Sequence, residues 1–139
     1  MADHIAELGR NAIGMILSGK RKITPVFLKK PLAPFKSVNE NDVVYLRSVD
    51  GYAVAKAIIK RVEHYENLTP EKAEEIINKY RDEIHPDEVM LSNEIYSKYA
   101  TLIWLDNVQE IPPFRVIMPP NVENTKWITV NDIGKVRGY

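Results

Sequence analysis

The chain has 139 residues, 45% hydrophobic and 27% charged, with 19 Lys and Arg balancing 19 Asp and Glu, and it contains no cysteine. That length suits one hydrophobic core and is cramped for two, so a single domain over 1–139 is expected, and the missing cysteine excludes disulfides, thiolate metal sites and cysteine nucleophiles. The charges are segregated: residues 1–62 carry 11 Lys and Arg against 5 Asp and Glu, residues 63–94 carry 3 against 10, and residues 95–139 carry 5 against 4.

Asp3 can cap a helix whose apolar stripe is Ile5, Leu8, Ala12 and Ile16, and Gly19 stands where a helix ends, so helix is predicted from Asp3 to Ser18. Ile23 to Leu28 mixes β-branched and aromatic residues and reads as a strand, followed by a loop through Pro31 and Pro34 to about Asn41. Val43 to Val49 is a second strand, Asp50-Gly51 a hairpin turn, and Tyr52 to Val62 a third strand. In that third strand Val54, Ile58 and Val62 share one face, while Ala53, Ala55, Ala57 and Ile59 make the other small and apolar, so both faces are expected to be covered.

Thr69-Pro70-Glu71 starts a helix with an N-cap, a proline at its first position and an acid in its first turn. Ala73, Ile76, Ile77, Tyr80 and Ile84 form its stripe, and His85-Pro86 stops it. A short helix around Asn93 to Tyr99 and a buried strand from Thr101 to Val108 follow, with Pro112-Pro113 closing that unit. Phe114 to Met118 is a possible further strand, Pro119-Pro120-Asn121 a turn, and Thr129 the cap of a last short helix carrying Val130, Ile133 and Val136. Strands around one long helical insertion point to an α+β chain whose sheet, of about five to six strands, curls into a small β-barrel.

Lys20, Arg21, Lys22, Lys29, Lys30 and Lys36 follow one another with no acid between them, and phosphate backbone is their natural partner. A solvated surface loop is the alternative. RNA binding is expected from this segment with Thr24, Arg47 and the assisting Lys56, Lys60 and Arg61, and with Phe35 or Tyr52 stacking on a base. Phe27, in a strand, reads as core. His4, His64 and His85 form no short ligand motif and the six glycines form no phosphate loop, so no metal or cofactor is expected. One catalytic arrangement is open: a Lys between positions 20 and 24 as base for the Thr24 hydroxyl, with a glutamate completing a relay, best written as Lys22, Thr24 and Glu83, which would make the chain a small amidohydrolase or ribonuclease acting on modified nucleosides or RNA. Apolar runs too short to span a bilayer lead to a cytoplasmic expectation with no membrane partner. The cysteine-free, Gln-poor composition rich in Ile, Lys and Glu is of the kind thermophiles favour. A basic half and an acidic block also allow electrostatic self-association.

The order of a helix, Gly19-Lys20-Arg21-Lys22-Ile23-Thr24, a loop, Asn41-Asp42-Val43-Val44-Tyr45-Leu46 and Asp50-Gly51-Tyr52 resembles the PUA-like superfamily, specifically its ASCH branch, over about residues 5 to 110. The tail with Trp127-Ile128-Thr129 is similar to archaeal relatives predicted to bind RNA. The resemblance implies a PUA-like barrel with an RNA or nucleobase cleft that has Lys20, Arg21, Lys22 and Thr24 at its mouth, with tRNA or rRNA as partner. Certain bacterial ASCH proteins are amidohydrolases acting on acetylated cytidine through Lys, Thr and Glu. Their Thr matches Thr24, but their Lys falls on Arg21, which cannot serve as a base. Lys20 or Lys22 must substitute, and the glutamate is left open among Glu83, Glu88 and Glu94.

Overall fold

A computed structural model describes residues 2–118 and 126–138. Its strands are β1 (Asp3–Glu7), β2 (Ile23–Leu28), β3 (Val43–Arg47), β4 (Tyr52–Tyr65), β5 (Tyr99–Arg115) and β6 (Trp127–Val130), and its α-helices are α1 (Arg10–Leu17), α2 (Pro70–Lys79), α3 (Arg81–Ile84) and α4 (Glu88–Ser92). The strands form one curled half-barrel in the order β2-β5-β4-β3-β1-β6. Neighbours are antiparallel except β1 and β3, which run parallel. The α+β expectation and the small barrel both hold.

The curl comes from the two longest strands. The β4–β5 register shifts between Ala53 and Ala55, Lys56 and Ile58, and Ile59 and Arg61, and each irregularity bends the ladder and increases its twist. Pro112 and Pro113 sit in the first shift, where Ala53 faces Phe114 and Ala55 faces Glu110. They therefore do not end the strand as expected. A bulge is where a residue without an N–H is tolerated, and β5 runs on to Arg115, absorbing the first residues of the possible strand at 114–118.

Ala53, Ala55, Ala57 and Ile59 are wholly buried on one face of β4, while Val54, Ile58 and Val62 are half-buried on the other. Against Ala55, Ala57 and Ile59 pack Ile13 and Ile16 of α1, with Val26, Leu46, Ile103 and Trp127, forming the barrel core. A second core lies between β2, β5 and the helical layer: Ile23, Phe27, Leu102 and Trp104 meet Ala73, Ile77, Ile84 and Met90. The helix start at Thr69 is as expected, its side chain accepting from Lys72 N at 3.2 Å. The short helix expected near Asn93 to Tyr99 is instead α4, capped by Asp87, and a 3₁₀ turn at Glu94–Tyr96.

Two terminal assignments are corrected. Asp3 to Glu7 is a strand, and the helix begins only at Arg10 after Gly9 takes an extended conformation. Ile5 fits the helical spacing, but it and Ala6 are buried as strand residues between β3 and β6. Thr129 caps nothing: Trp127–Val130 is the edge strand β6, and Asp132 caps the 3₁₀ turn that follows at Ile133–Lys135. The turn expected at Pro119-Pro120-Asn121 lies outside the described residues. Gly19 does close α1 with φ of +81°, a conformation open to glycine at little cost.

Candidate functional site

The half-barrel leaves a seam. β2 ends the sheet on one side and β6 on the other, and among the described residues they do not pair. Between β2 and the ends of β1 and β6 lies a cavity of about 330 Å³, at the small end of the roughly 300–1,000 Å³ of ligand pockets. Thr24 to Phe27 and Arg21 form one wall, Ala6 to Gly9 with Ala12 the second, and Asp87, Val89, Met90 and Glu94 the third, with Val49 and Lys126 completing the lining.

Most polar groups in it are already engaged. Arg21 is 6% exposed, and its guanidinium donates from Nε to Ile84 O at 2.7 Å and from a terminal nitrogen to His85 O at 3.0 Å. Burial pushes its pKa below the ordinary value against the attraction of Asp87. This cation thus fastens the end of α3 to the start of β2, where His85 turns the chain with φ of +52°. Asp87 accepts from Met90 N at 2.8 Å as the cap of α4. Glu7 pairs with Arg47 at 2.5 Å, and Glu94 with Lys126 at 3.4 Å. Thr24 differs: it has no exposed surface, and its hydroxyl has no hydrogen-bond partner among the described residues.

No family model and no curated protein matches the sequence. Among solved structures, a serine-to-alanine variant of ZmASCH from Zymomonas mobilis superposes with a TM-score of 0.70 at 13% identity, covering 96% of this chain and 91% of that one. A tyrosine-to-phenylalanine variant of the same protein gives 0.70 at 13% identity over 96% and 93%, and the ASCH protein from Zymomonas mobilis itself gives 0.68 at 12% identity over 92% and 87%. The chain has an ASCH-type, PUA-like fold. At such identity the likeness is one of fold.

On this ASCH-type frame the expected site residues separate. Arg21 and Thr24 line the cavity. Lys20, Lys22, Lys29, Lys30 and Lys36 are exposed on the segments around β2. Lys22 and Glu83 meet through their backbones, Lys22 N donating to Glu83 O at 2.9 Å, but neither lines the cavity, and the Glu83 carboxylate accepts from Trp104 Nε1 at 3.2 Å. Phe35 is no free platform: it is half-buried, edge-on to Tyr99 and His64 at 5.1 and 5.5 Å. Arg47 serves the cavity indirectly by holding Glu7. Arg61 lies 4.5 Å over the Trp104 ring and pairs with Glu63. Tyr52 is 43% exposed, beside a different depression.

The sequence reading missed Glu7 and Lys126, and it left Glu94 unresolved among three glutamates. Glu7 was hidden by the helical spacing around it, and Lys126 reaches the site only because β6 pairs with β1.

Proposed function

We propose that this chain binds RNA and holds one unstacked base in the seam cavity, with the exposed lysines of the 20–36 segment on the flanking phosphates. The observation that carries this reading is the Thr24 hydroxyl. A buried hydroxyl without a partner costs about 1–3 kcal/mol; its oxygen has almost no accessible surface, so a base reaches it only once the Thr24 side chain turns toward the cavity, and the hydrogen bond made then recovers that cost in the bound state alone. Cavity size supports a ligand no larger than a nucleobase or nucleoside. The lysines around β2 supply the salt-dependent attraction that phosphates need, and the fold shared with ASCH proteins supports the same kind of partner.

Thr24→Val keeps the shape and removes the hydroxyl. Its affinity for tRNA or unstructured RNA is expected to fall about tenfold, the value of one hydrogen bond in a buried site. Thermal stability should stay equal or rise. Unchanged RNA affinity in a folded Thr24→Val protein overturns the reading.

A second reading rests on one specific observation: Thr24 shares its cavity with the Glu94–Lys126 pair. A hydroxyl, an ammonium and a carboxylate in one cavity are the parts of a small amidohydrolase acting on an acylated nucleoside. Single-turnover hydrolysis of acetylated cytidine that is lost in both Thr24→Val and Lys126→Ala selects this reading. No turnover by the wild type removes it.

A further inference from the structure

The depression beside Tyr52 differs in charge from the seam cavity. Its volume is about 500 Å³, and it is lined by Tyr52, Pro113, Phe114, Arg115, Arg137 and Gly138, with two arginines and no acid among the described residues. The seam cavity contains three carboxylates, Glu7, Asp87 and Glu94. Arg21 and Lys126 line that cavity beside them, so its charge is nearly balanced, whereas the positive charge of the depression has no counter-charge in its described lining and attracts a phosphate.

The two arginines are brought together by the backbone. Residues 115–117 and 136–138 run side by side, with Ile117 N donating to Val136 O at 2.7 Å and Gly138 N to Arg115 O at 2.6 Å. The approach is close enough that a Cβ at position 138 would stand 3.2 Å from Arg115 O. Arg137 stacks its guanidinium 4.5 Å over the Phe114 ring, and Phe114 is in turn braced edge-on by Tyr45 at 5.8 Å. A guanidinium held against a ring keeps fewer orientations than one free in solvent, so less freedom is lost when it meets an anion. Neither arginine has an ion pair or a side-chain hydrogen bond among the described residues.

The depression is connected to the seam cavity through the β3–β4 hairpin. Val49, 69% exposed, forms part of the cavity lining, and Tyr52 borders the depression. The Cα atoms of residues three apart are at most about 11 Å from each other, so one hairpin carries a lip of both sites.

We propose that Tyr52, Arg115 and Arg137 form a second subsite for single-stranded RNA: the strand whose base enters the seam cavity crosses the hairpin, stacks a further base on Tyr52 and lays adjacent phosphates on the two arginines. This rests on the RNA reading above and adds a direction and a minimum length to it. A mononucleotide uses only the seam, and an oligonucleotide uses both sites.

The test compares the wild type, Arg115→Ala/Arg137→Ala, Tyr52→Ala and Thr24→Val. Each is titrated with a nucleoside monophosphate and with a single-stranded RNA octamer carrying 2-aminopurine, across salt. The arginine variant is expected to bind the octamer about tenfold more weakly, with a log–log salt slope shallower by about 1.4 for two single-strand phosphates. Its mononucleotide affinity should match the wild type. Tyr52→Ala should keep the slope and lose 2-aminopurine quenching. Octamer binding unchanged in both variants, with Thr24→Val still weakened, overturns the second subsite alone. Failure of the wild type to bind the octamer overturns both readings. Equal displacement of the octamer by polyglutamate marks the arginines as a dock for an acidic protein segment and overturns the RNA subsite.

Discussion

His4 has no exposed surface, and both of its ring nitrogens are engaged: Nε2 with Asp42 at 2.8 Å, and Nδ1 with Thr129 Oγ1 at 2.9 Å and Trp127 Nε1 at 3.2 Å. The indole N–H can only donate, so Nδ1 accepts and Nε2–H points at the carboxylate. The network joins β1, the entry to β3 and β6 through side chains alone. Burial raises the Asp42 pKa, but hydrogen bonds from His4, Ala2 and Asn39 outweigh it and hold the carboxyl below its usual range. A carboxyl depressed in the folded state contributes stability above its unfolded value of about 3.9, and that contribution disappears as pH falls through the folded value. Denaturant melts of Asp42→Asn should show a loss of about 3 kcal/mol at neutral pH, the worth of hydrogen bonds to a buried charge. The difference from wild type should narrow below about pH 4. A difference independent of pH would show that the carboxylate charge contributes nothing. Thr24 is the counterpart, a polar group left unpaired among the described residues, and the valine substitution there should raise the unfolding free energy by about 1 kcal/mol.

The elements fall into two groups according to how far their determinants reach along the chain. α2 was legible because its signals are local: Thr69 caps it, Pro70 opens it and Ala73, Ile76 and Ile77 are its buried stripe. Thr69→Ala should lower the melting transition by the equivalent of about 1 kcal/mol, which calorimetry can read. β2, the Asp50-Gly51 hairpin and β4 were legible for the same reason. β1 and β6 were not. A five-residue strand whose apolar residues also satisfy a helical spacing is decided by its neighbours, and β1 has β3 on one side and β6, more than 120 residues away, on the other. Reading β1 as helix, and β6 as the approach and cap of another, removed Glu7 and Lys126 from view together. Of the site, Arg21 and Thr24 could be read because they lie on a legible strand and its approach. Their partners come from segments that only the closed topology assembles.

At the scale of the molecule, the sheet is an arc whose ends do not pair among the described residues, and the candidate site lies in the gap between them. The acidic helices α2 to α4 pack on the β2–β5 face while the lysines flank β2, so charges opposed along the sequence meet near the same edge. Arg21 is the one basic residue of that segment buried under the helical layer, fastening it to the strand.

An unpaired edge also has a colloidal consequence. Lys22 O accepts from Leu105 N, so by antiparallel alternation the amides at 23 and 27 point away from β5, as would one at 25. Position 25 is proline and has none. A strand from another copy that tried to extend the sheet at β2 would lose its central bond, which is how natural sheets resist templated aggregation. Pro25→Val restores that donor on a row of β-branched and aromatic residues. Light scattering at high protein concentration should then show growth of large particles that the wild type resists, while the melting temperature hardly moves. Equal scattering by the two proteins would mean that the helical layer, not the proline, shields the edge.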